Sequence, residues 1–426
     1  MRAAGPFCTI VSTSFVPFAR VLASSLARHQ DGRRLVALVM DDEGRLDPER
    51  EPFTIVRPDD LEHVLPSAEF GRMAVMYASK ELATALKPFL LLHLLDGGAP
   101  AAIFIDPDIE VFAPLDDVVE ATAAHGVVLV PHSLAPIPLD GETPTETTIQ
   151  RYGIFNGGFL GVSPAGRPFL LWLAERLLRD CISAPDQGLF VDQRWLDFVP
   201  AYFDHLVLRD PTLDVAYWNL HERDVVWSDG RYKVGGRPLR FYHFSGYDPT
   251  RPDVLTTGSS RITFARRPNL RRLFDEYAEQ LLAAGYADWR PLPFRYNTDG
   301  EGRTLEGDRR RLFRAVVKEH EAAGAALPMP DLGPLSLATW ANSDALERSA
   351  SSAALAEYYL NRRPTLETQR LPRLVSAMRR ALFRLNRPYQ ERDDLVLRTL
   401  LRALRDGDQG LAGRLAALEE RLPDPR

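Results

Sequence analysis

Through roughly its first 265 residues the chain alternates short, unbroken apolar runs with longer segments of helical period. That alternation restricts it to an α/β fold, because strands apolar on both faces need helices to cover them. The spacing predicts strands at Phe7–Val11, Leu35–Met40, Phe53–Val56, Ala101–Ile105, Val127–Val130, Phe159–Val162 and Leu239–Phe244. It predicts helices at Phe15–Arg28, Phe169–Leu178 and Leu189–Phe198, and a long one at Arg72–Leu95 kinked or split at Pro88. Val225–Val234, with Ser228-Asp229-Gly230 at its centre, reads as a hairpin. The polar, proline- and threonine-rich stretch His132–Arg151 reads as a long surface loop of the kind that forms lids or binding loops.

From about residue 266 onward the strand signal gives way to helical period at Asn269–Ala284, Asp308–Glu321 and Leu371–Leu422. The expected organisation is an α/β domain over 1–265 and a helical C-terminal region over 266–426, with linker-rich stretches at 291–307 and 327–334. Leu397, Leu401, Leu404, Leu411, Leu415, Leu418 and Leu422 keep a 4,3 spacing that admits a homodimer seam. Arginines crowd the apolar face of Leu374–Leu385, which admits peripheral contact with a membrane surface. A helix pair packed on the main domain is the simpler reading of the first, and an ordinary exposed helix fits the second equally well.

Composition closes off other classes. The formal charge is −6 and nothing global recruits nucleic acid. Cys8 and Cys181 are too few for a disulfide framework or a thiolate zinc site, so two reduced core thiols are expected. The most apolar stretch, Pro88–Ile105, is interrupted by His93 and Asp96 short of the ~20 apolar residues of a membrane span. Phe7–Ala19 carries too many hydroxyl residues for a signal sequence and reads as an opening strand, so a cytoplasmic location is expected, at most peripheral at the inner face of the membrane.

Five segments carry residues suited to chemistry. Ala101–Ile105 delivers Asp106 and Asp108 to the C-terminal end of a buried strand, where open α/β sheets bind ligands. In extended backbone the two carboxylates share a face and can meet one hard cation. His243 ends another strand and adds a nitrogen ligand of the type that suits Mn²⁺, with Ser245 and Gly246 offering backbone N–H groups to a phosphate. Asn156-Gly157-Gly158 permits close backbone approach to a ligand, and Asp192-Gln193 stands at a helix start, where capping is the alternative role. Only four of the 52 basic residues are lysines, and Lys87, on one helical face with Lys80 and Thr84, is the one placed to meet phosphate or carbonyl groups.

Taken in order, the strand into Asp-x-Asp, Asn-Gly-Gly, Asp-Gln and His-Phe-Ser-Gly resembles the GT-A glycosyltransferases of the glycogenin and lipopolysaccharide galactosyltransferase type, glycosyltransferase family 8, over roughly residues 7–250. The resemblance implies a Rossmann-like nucleotide-sugar-binding fold, a UDP-sugar donor before a GDP-sugar, and Mn²⁺ or Mg²⁺ on the diphosphate. It implies that Asp106, Asp108 and His243 hold the metal. Ser12, Thr13 and Asp41 or Asp42 would frame the nucleoside, and Lys87, Asn156, Gly157 and Gly158 would face the donor sugar or its phosphates. Asp192 would bind the sugar and Gln193 would stand near the anomeric carbon, with retention through front-face attack because an amide is a poor nucleophile. The acceptor would be a bacterial surface glycan, a lipid-linked glycan or a small molecule. Where the family continues His-x-x-Gly with Lys-Pro-Trp, this chain has Tyr247-Asp248-Pro249, so the diphosphate lysine is missing at that place. The alternatives are a sugar-nucleotide nucleotidyltransferase, which would normally carry a glycine-rich phosphate loop that Phe7–Phe18 lacks, and an inactive transferase-like scaffold.

Overall fold

The computed structural model describes residues 5–30, 33–327, 333–351, 354–355 and 358. The Leu371–Leu422 segment, with its leucine spacing and arginine-rich face, lies outside the described residues, and so do the dimer and membrane-surface readings built on it. The chain divides into two compact units, Met1–Arg295 and Tyr296–Arg426. No helix among the described residues is long and apolar enough to cross a membrane.

The first unit has the expected α/β fold but runs to Arg295, past the expected boundary at residue 265, because the helix Arg271–Ala283 packs Phe274 and Tyr277 into the same core as Tyr242 and Phe244. Strands β1 (Phe7–Val11), β2 (Val36–Val39), β3 (Thr54–Val56) and β4 (Ala102–Ile105) run parallel. Next in the chain come β5 (Ile109–Val111), β6 (Val127–Leu129), β7 (Phe159–Val162), the short β8 (Ser183–Ala184) and β9 (Leu189–Phe190), and β10 (His205–Val207). The main sheet has the order β10-β6-β7-β4-β1-β2-β3, with β7 antiparallel to both neighbours. Its central strands are buried throughout, which explains their unbroken apolar runs. Helix α1 (Val16–His29) packs Val16, Ala19, Leu22 and Leu26 into the core above β1 and β2. Cys8 and Cys181 are buried free thiols.

The long Arg72–Leu95 helix is corrected to parts of three: α2 (Ser67–Met76), α3 (Ser79–Ala85) and α4 (Lys87–Asp96). The first break falls at Tyr77, whose buried hydroxyl donates to Leu177 O (2.8 Å) and accepts from Cys181 N–H (3.1 Å). Pro88 sits in the first turn of α4, where its missing N–H leaves no helical bond unmade. Lys80 and Thr84 therefore belong to α3 and Lys87 to α4, not to one helical face. His132–Arg151 is not wholly a loop: α5 (Asp116–Ala124) is followed within it by α6 (Glu146–Tyr152), capped by Thr145. After α7 (Arg167–Asp180), the expected Leu189–Phe198 helix is divided between β9 and α8 (Gln193–Leu196), because Val191 turns the chain at φ 43°.

A second core within this unit is aromatic. The hairpin β11 (Val225–Ser228) and β12 (Arg231–Val234) appears as expected, followed by β13 (Arg237–Pro238) and β14 (Phe241–His243). Tyr242 and Phe244 pack there against Phe274 and Tyr277 of the helix Arg271–Ala283, with Phe244 and Tyr277 stacked at 3.7 Å. The second unit, among its described residues, is built on the helices Gly307–Ala322, Pro334–Ala341 and Asp344–Ser349, which bury Leu312, Phe313, Val316, Leu337 and Leu346.

Candidate functional site

The carboxylates of Asp106 and Asp108 meet by a different route from the one expected. Asp106-Pro107-Asp108 is a turn between β4 and β5, closed by Ile109 N–H donating to Asp106 O at 3.2 Å, not a run of extended backbone. Sheet register supplies the rest. Strand β14 pairs antiparallel with β5, placing His243 opposite Ile109, and Phe244 N–H bonds Asp108 O at 2.9 Å. Along β14 the outward alternation buries Phe241 in the main core and Tyr242 in the aromatic core, and leaves His243 beside the turn. Its Nε2 lies 3.1 Å from Asp108 Oδ1 and 3.8 Å from Asp106 Oδ2. One ligand atom from each of Asp106, Asp108 and His243 falls within 4.8 Å of the others.

Strand β7 brings the glycines to the same place. Its antiparallel pairing opposes Ile105 to Phe159, so Asp106 N–H bonds Gly158 O at 2.8 Å. A Cβ on Gly158 would stand 2.6 Å from His243 Cε1 and 2.8 Å from Asp106 Oδ2, so only glycine leaves the three ligands room to converge. Two carboxylate oxygens and an imidazole are a donor set that suits Mn²⁺ or Mg²⁺ better than a thiolate-preferring metal.

Next to this cluster Lys87 is buried and ion-paired with Asp192, while its Nζ also donates to Gly157 O at 2.6 Å and lies 4.3 Å from the centre of the Phe104 ring. The Asp192 side chain makes no helix-capping bond. Gln193 is fixed at both ends of its amide, with Oε1 accepting Gly157 N–H and Nε2 donating to Tyr152 O, each at 3.0 Å. The other Asp-Gln pair, Asp186 and Gln187, is exposed at the β8–β9 tip.

Ser12 and Thr13 follow β1, and Asp41 and Asp42 follow β2, at the sheet edge shared with the end of β4 because the three strands are parallel. Thr13 N–H donates to Asp41 Oδ1 at 2.7 Å; burial pushes the Asp41 carboxyl up against the lowering effect of that bond and of Arg295 N–H. Asp42 turns elsewhere, pairing with Arg57 at 2.7 Å and accepting from Arg45 N–H. Ser245 O accepts from Thr256 Oγ1 at 3.2 Å, and Gly246 turns the chain at φ 76°. Lys233 pairs with Asp229 in the hairpin.

Two residues that sequence reasoning passed over complete the surroundings of His243. Asp214, buried, accepts from Asn156 Nδ2 at 2.7 Å and lies 3.6 Å from His243 Nδ1. The Trp218 ring meets the His243 ring edge-on at 5.1 Å. The only sequence signal was a polar, aromatic interval, Asp214-Val-Ala-Tyr-Trp-Asn219, between expected strands. Burial works against charge on His243, but Asp108, Asp214 and Asp106 outweigh it and hold its pKa well above the usual value. Burial likewise raises Asp106, whereas His243 overcomes it at Asp108 and lowers that group.

No protein-family model matches the chain. It is 26% identical over 250 residues to the uncharacterized Bacillus subtilis (strain 168) protein YfnF, covering 57% of this chain and 81% of that one. It is 25% identical over 251 residues to YfnD of the same organism, also uncharacterized, covering 57% and 77%. Among solved structures, the chain is similar to the galactosyltransferase LgtC bound to donor and acceptor sugar analogues (13% identity, TM-score 0.38, covering 68% of this chain and 97% of that one). It is also similar to the glycosyltransferase GlyE of Streptococcus pneumoniae TIGR4 (12%, TM-score 0.37, covering 69% and 66%). A third similar structure is mouse xyloside xylosyltransferase 1 (14%, TM-score 0.35, covering 57% and 97%).

Proposed function

We propose that the chain is a metal-dependent, retaining glycosyltransferase of the GT-A type that takes its sugar from a nucleotide diphosphate sugar, UDP-linked before GDP-linked. The observation that carries the reading is the convergence of Asp106, Asp108 and His243 within 4.8 Å, against a glycine that leaves them room. These three residues would hold Mn²⁺ or Mg²⁺, which when bound supplies positive charge to a diphosphate leaving group. The remaining roles belong to the chain itself. Thr13 and Asp41, tied together at the end of β1 and β2, form the wall for the nucleoside. Asp192, oriented by Lys87, accepts from hydroxyls of the donor sugar.

Gln193 gives the reading its stereochemical content. Both ends of its amide are held, so it presents a fixed dipole, not a nucleophile. Front-face attack through an oxocarbenium-like ion follows, with the departing phosphate taking the acceptor's proton. The acceptor class is a surface glycan, a lipid-linked glycan or a small molecule. A nucleotide-release screen over UDP- and GDP-sugars with Mn²⁺ tests the proposal. Release from at least one donor, lost in Asp108→Ala, is expected; no release from any donor, or release that Asp108→Ala leaves intact, removes it.

A further inference from the structure

The His243 ring stands between two sets of groups with different chemistry. Its Nε2 faces the carboxylates of Asp108 and Asp106 at 3.1 and 3.8 Å. Its Nδ1 faces Asn156 Nδ2 at 3.1 Å and Asp214 Oδ1 at 3.6 Å. The Asn156 amide is not free to turn. Its Oδ1 accepts Gly158 N–H at 2.7 Å, so its NH₂ is aimed at His243 and Asp214. The Asp214 side chain is 1% exposed, and its Oδ2 has no hydrogen-bond partner among the described residues.

An imidazole that offers Nε2 to a cation carries its proton on Nδ1, and that proton needs an acceptor. Asn156 presents only N–H on this side and cannot accept. We propose that Asp214 is the positioning residue of the metal site: it takes the Nδ1–H of His243 and so selects the tautomer whose Nε2 is open toward Asp106 and Asp108. The unpartnered Oδ2 leaves Asp214 able to take that proton at no loss of the Asn156 bond. The backbone is built for the task. Asp214 sits at φ 52°, a conformation aspartate tolerates better than most residues, and Asn219 Nδ2 and Arg223 Nη1 hold its carbonyl at 2.8 and 3.3 Å. Trp218, edge-on at 87°, limits rotation of the His243 ring.

This assignment rests on the metal-dependent reading, and the test separates the two. Mn²⁺ alone is titrated by calorimetry into the full-length wild type, Asp214→Asn and His243→Gln, and each is melted in EDTA. Asparagine preserves shape and tolerates positive φ, so the metal-free melting point should stay within a few degrees. The expected Mn²⁺ affinity of Asp214→Asn is about 10–100-fold weaker, the range for loss of an outer partner of a liganding histidine. Wild-type binding with Asp214→Asn unchanged overturns the role of Asp214 and leaves the metal reading standing; a wild type that binds no Mn²⁺ overturns both. Should the variant fail to fold, ¹⁵N-histidine spectra of the wild type decide the matter, with His243→Gln giving the assignment. Diamagnetic Cd²⁺ should move His243 to the Nδ1–H form, and a ring that keeps Nε2–H in the Cd²⁺-loaded protein overturns the proposal.

Discussion

Lys87 and Asp192, 105 residues apart, form an ion pair in which the two side chains are 1% and 2% exposed. The pair joins the first turn of α4 to the start of α8, and through Gly157 O it ties both to the glycine pair beside the metal ligands. Such a pair is costly to bury and is strongly destabilising to break from one side.

Lys87→Met should therefore lower stability by about 3–5 kcal/mol, because it leaves the Asp192 carboxylate buried without its counter-charge. The double variant Lys87→Met/Asp192→Leu should regain most of that stability yet remain inactive, since the sugar-facing carboxylate is gone. Thermal melts of the two variants beside a nucleotide-release assay check both halves, and a single variant as stable as wild type contradicts the first.

Gly158→Ala should fold but bind Mn²⁺ at least about tenfold more weakly, as the new methyl pushes directly against His243 and Asp106. Gly157→Ala meets only Asp192 and Gln193 side-chain atoms at 3.3–3.4 Å and should leave the Mn²⁺ affinity nearly unchanged. Calorimetric titration of the metal distinguishes the two positions.

Tyr77→Phe removes one hydroxyl that serves two buried partners, Leu177 O and Cys181 N–H. A cost of about 2–4 kcal/mol is expected, because both backbone groups lose their bond without gaining water. Chemical denaturation at neutral pH measures it, and a cost below about 0.5 kcal/mol would show that the groups find other partners.

In the second unit, Asp299 accepts from Asn342 Nδ2, Arg303 Nε and the N–H groups of Glu301 and Arg303; burial opposes its ionisation, but these donors prevail and bring its pKa down to about 2. The folded value lies below the ordinary aspartate value of about 3.9, so this carboxylate stabilises the fold above that pH and loses its effect as pH falls toward 2. Asp299→Asn should destabilise the Gly307–Ala341 helices at pH 6 and progressively less between pH 4 and 2. Hydrogen exchange of those helices across the range is the measurement, and a difference independent of pH would refute the assignment.

How much of this was legible in the sequence depended on the range of the interaction. The α/β class could be read because burial on both faces of β1, β4 and β7 writes itself as local apolar runs. The breaks at Tyr77 and Val191 could not. The first depends on a hydroxyl bonded to backbone about 100 residues away, and the second places a β-branched residue at positive φ against its own preference. The edge strand β10 is only half-buried and gave too weak an apolar signal to be expected.

The site divides along the same line. Asp106, Asp108, Asn156, Gly157, Gly158, Asp192, Gln193 and His243 stood out by their order along the chain, each alone having an ordinary structural role as well. Their meeting is the work of tertiary structure. The β4–β7 and β5–β14 registers bring Gly158 and His243 to the Asp106–Asp108 turn, and a buried lysine from α4 fixes Asp192. Asp214 belongs wholly to that second category: its significance is a direction, toward His243 Nδ1, and a direction exists only once strands that are distant in the chain have paired.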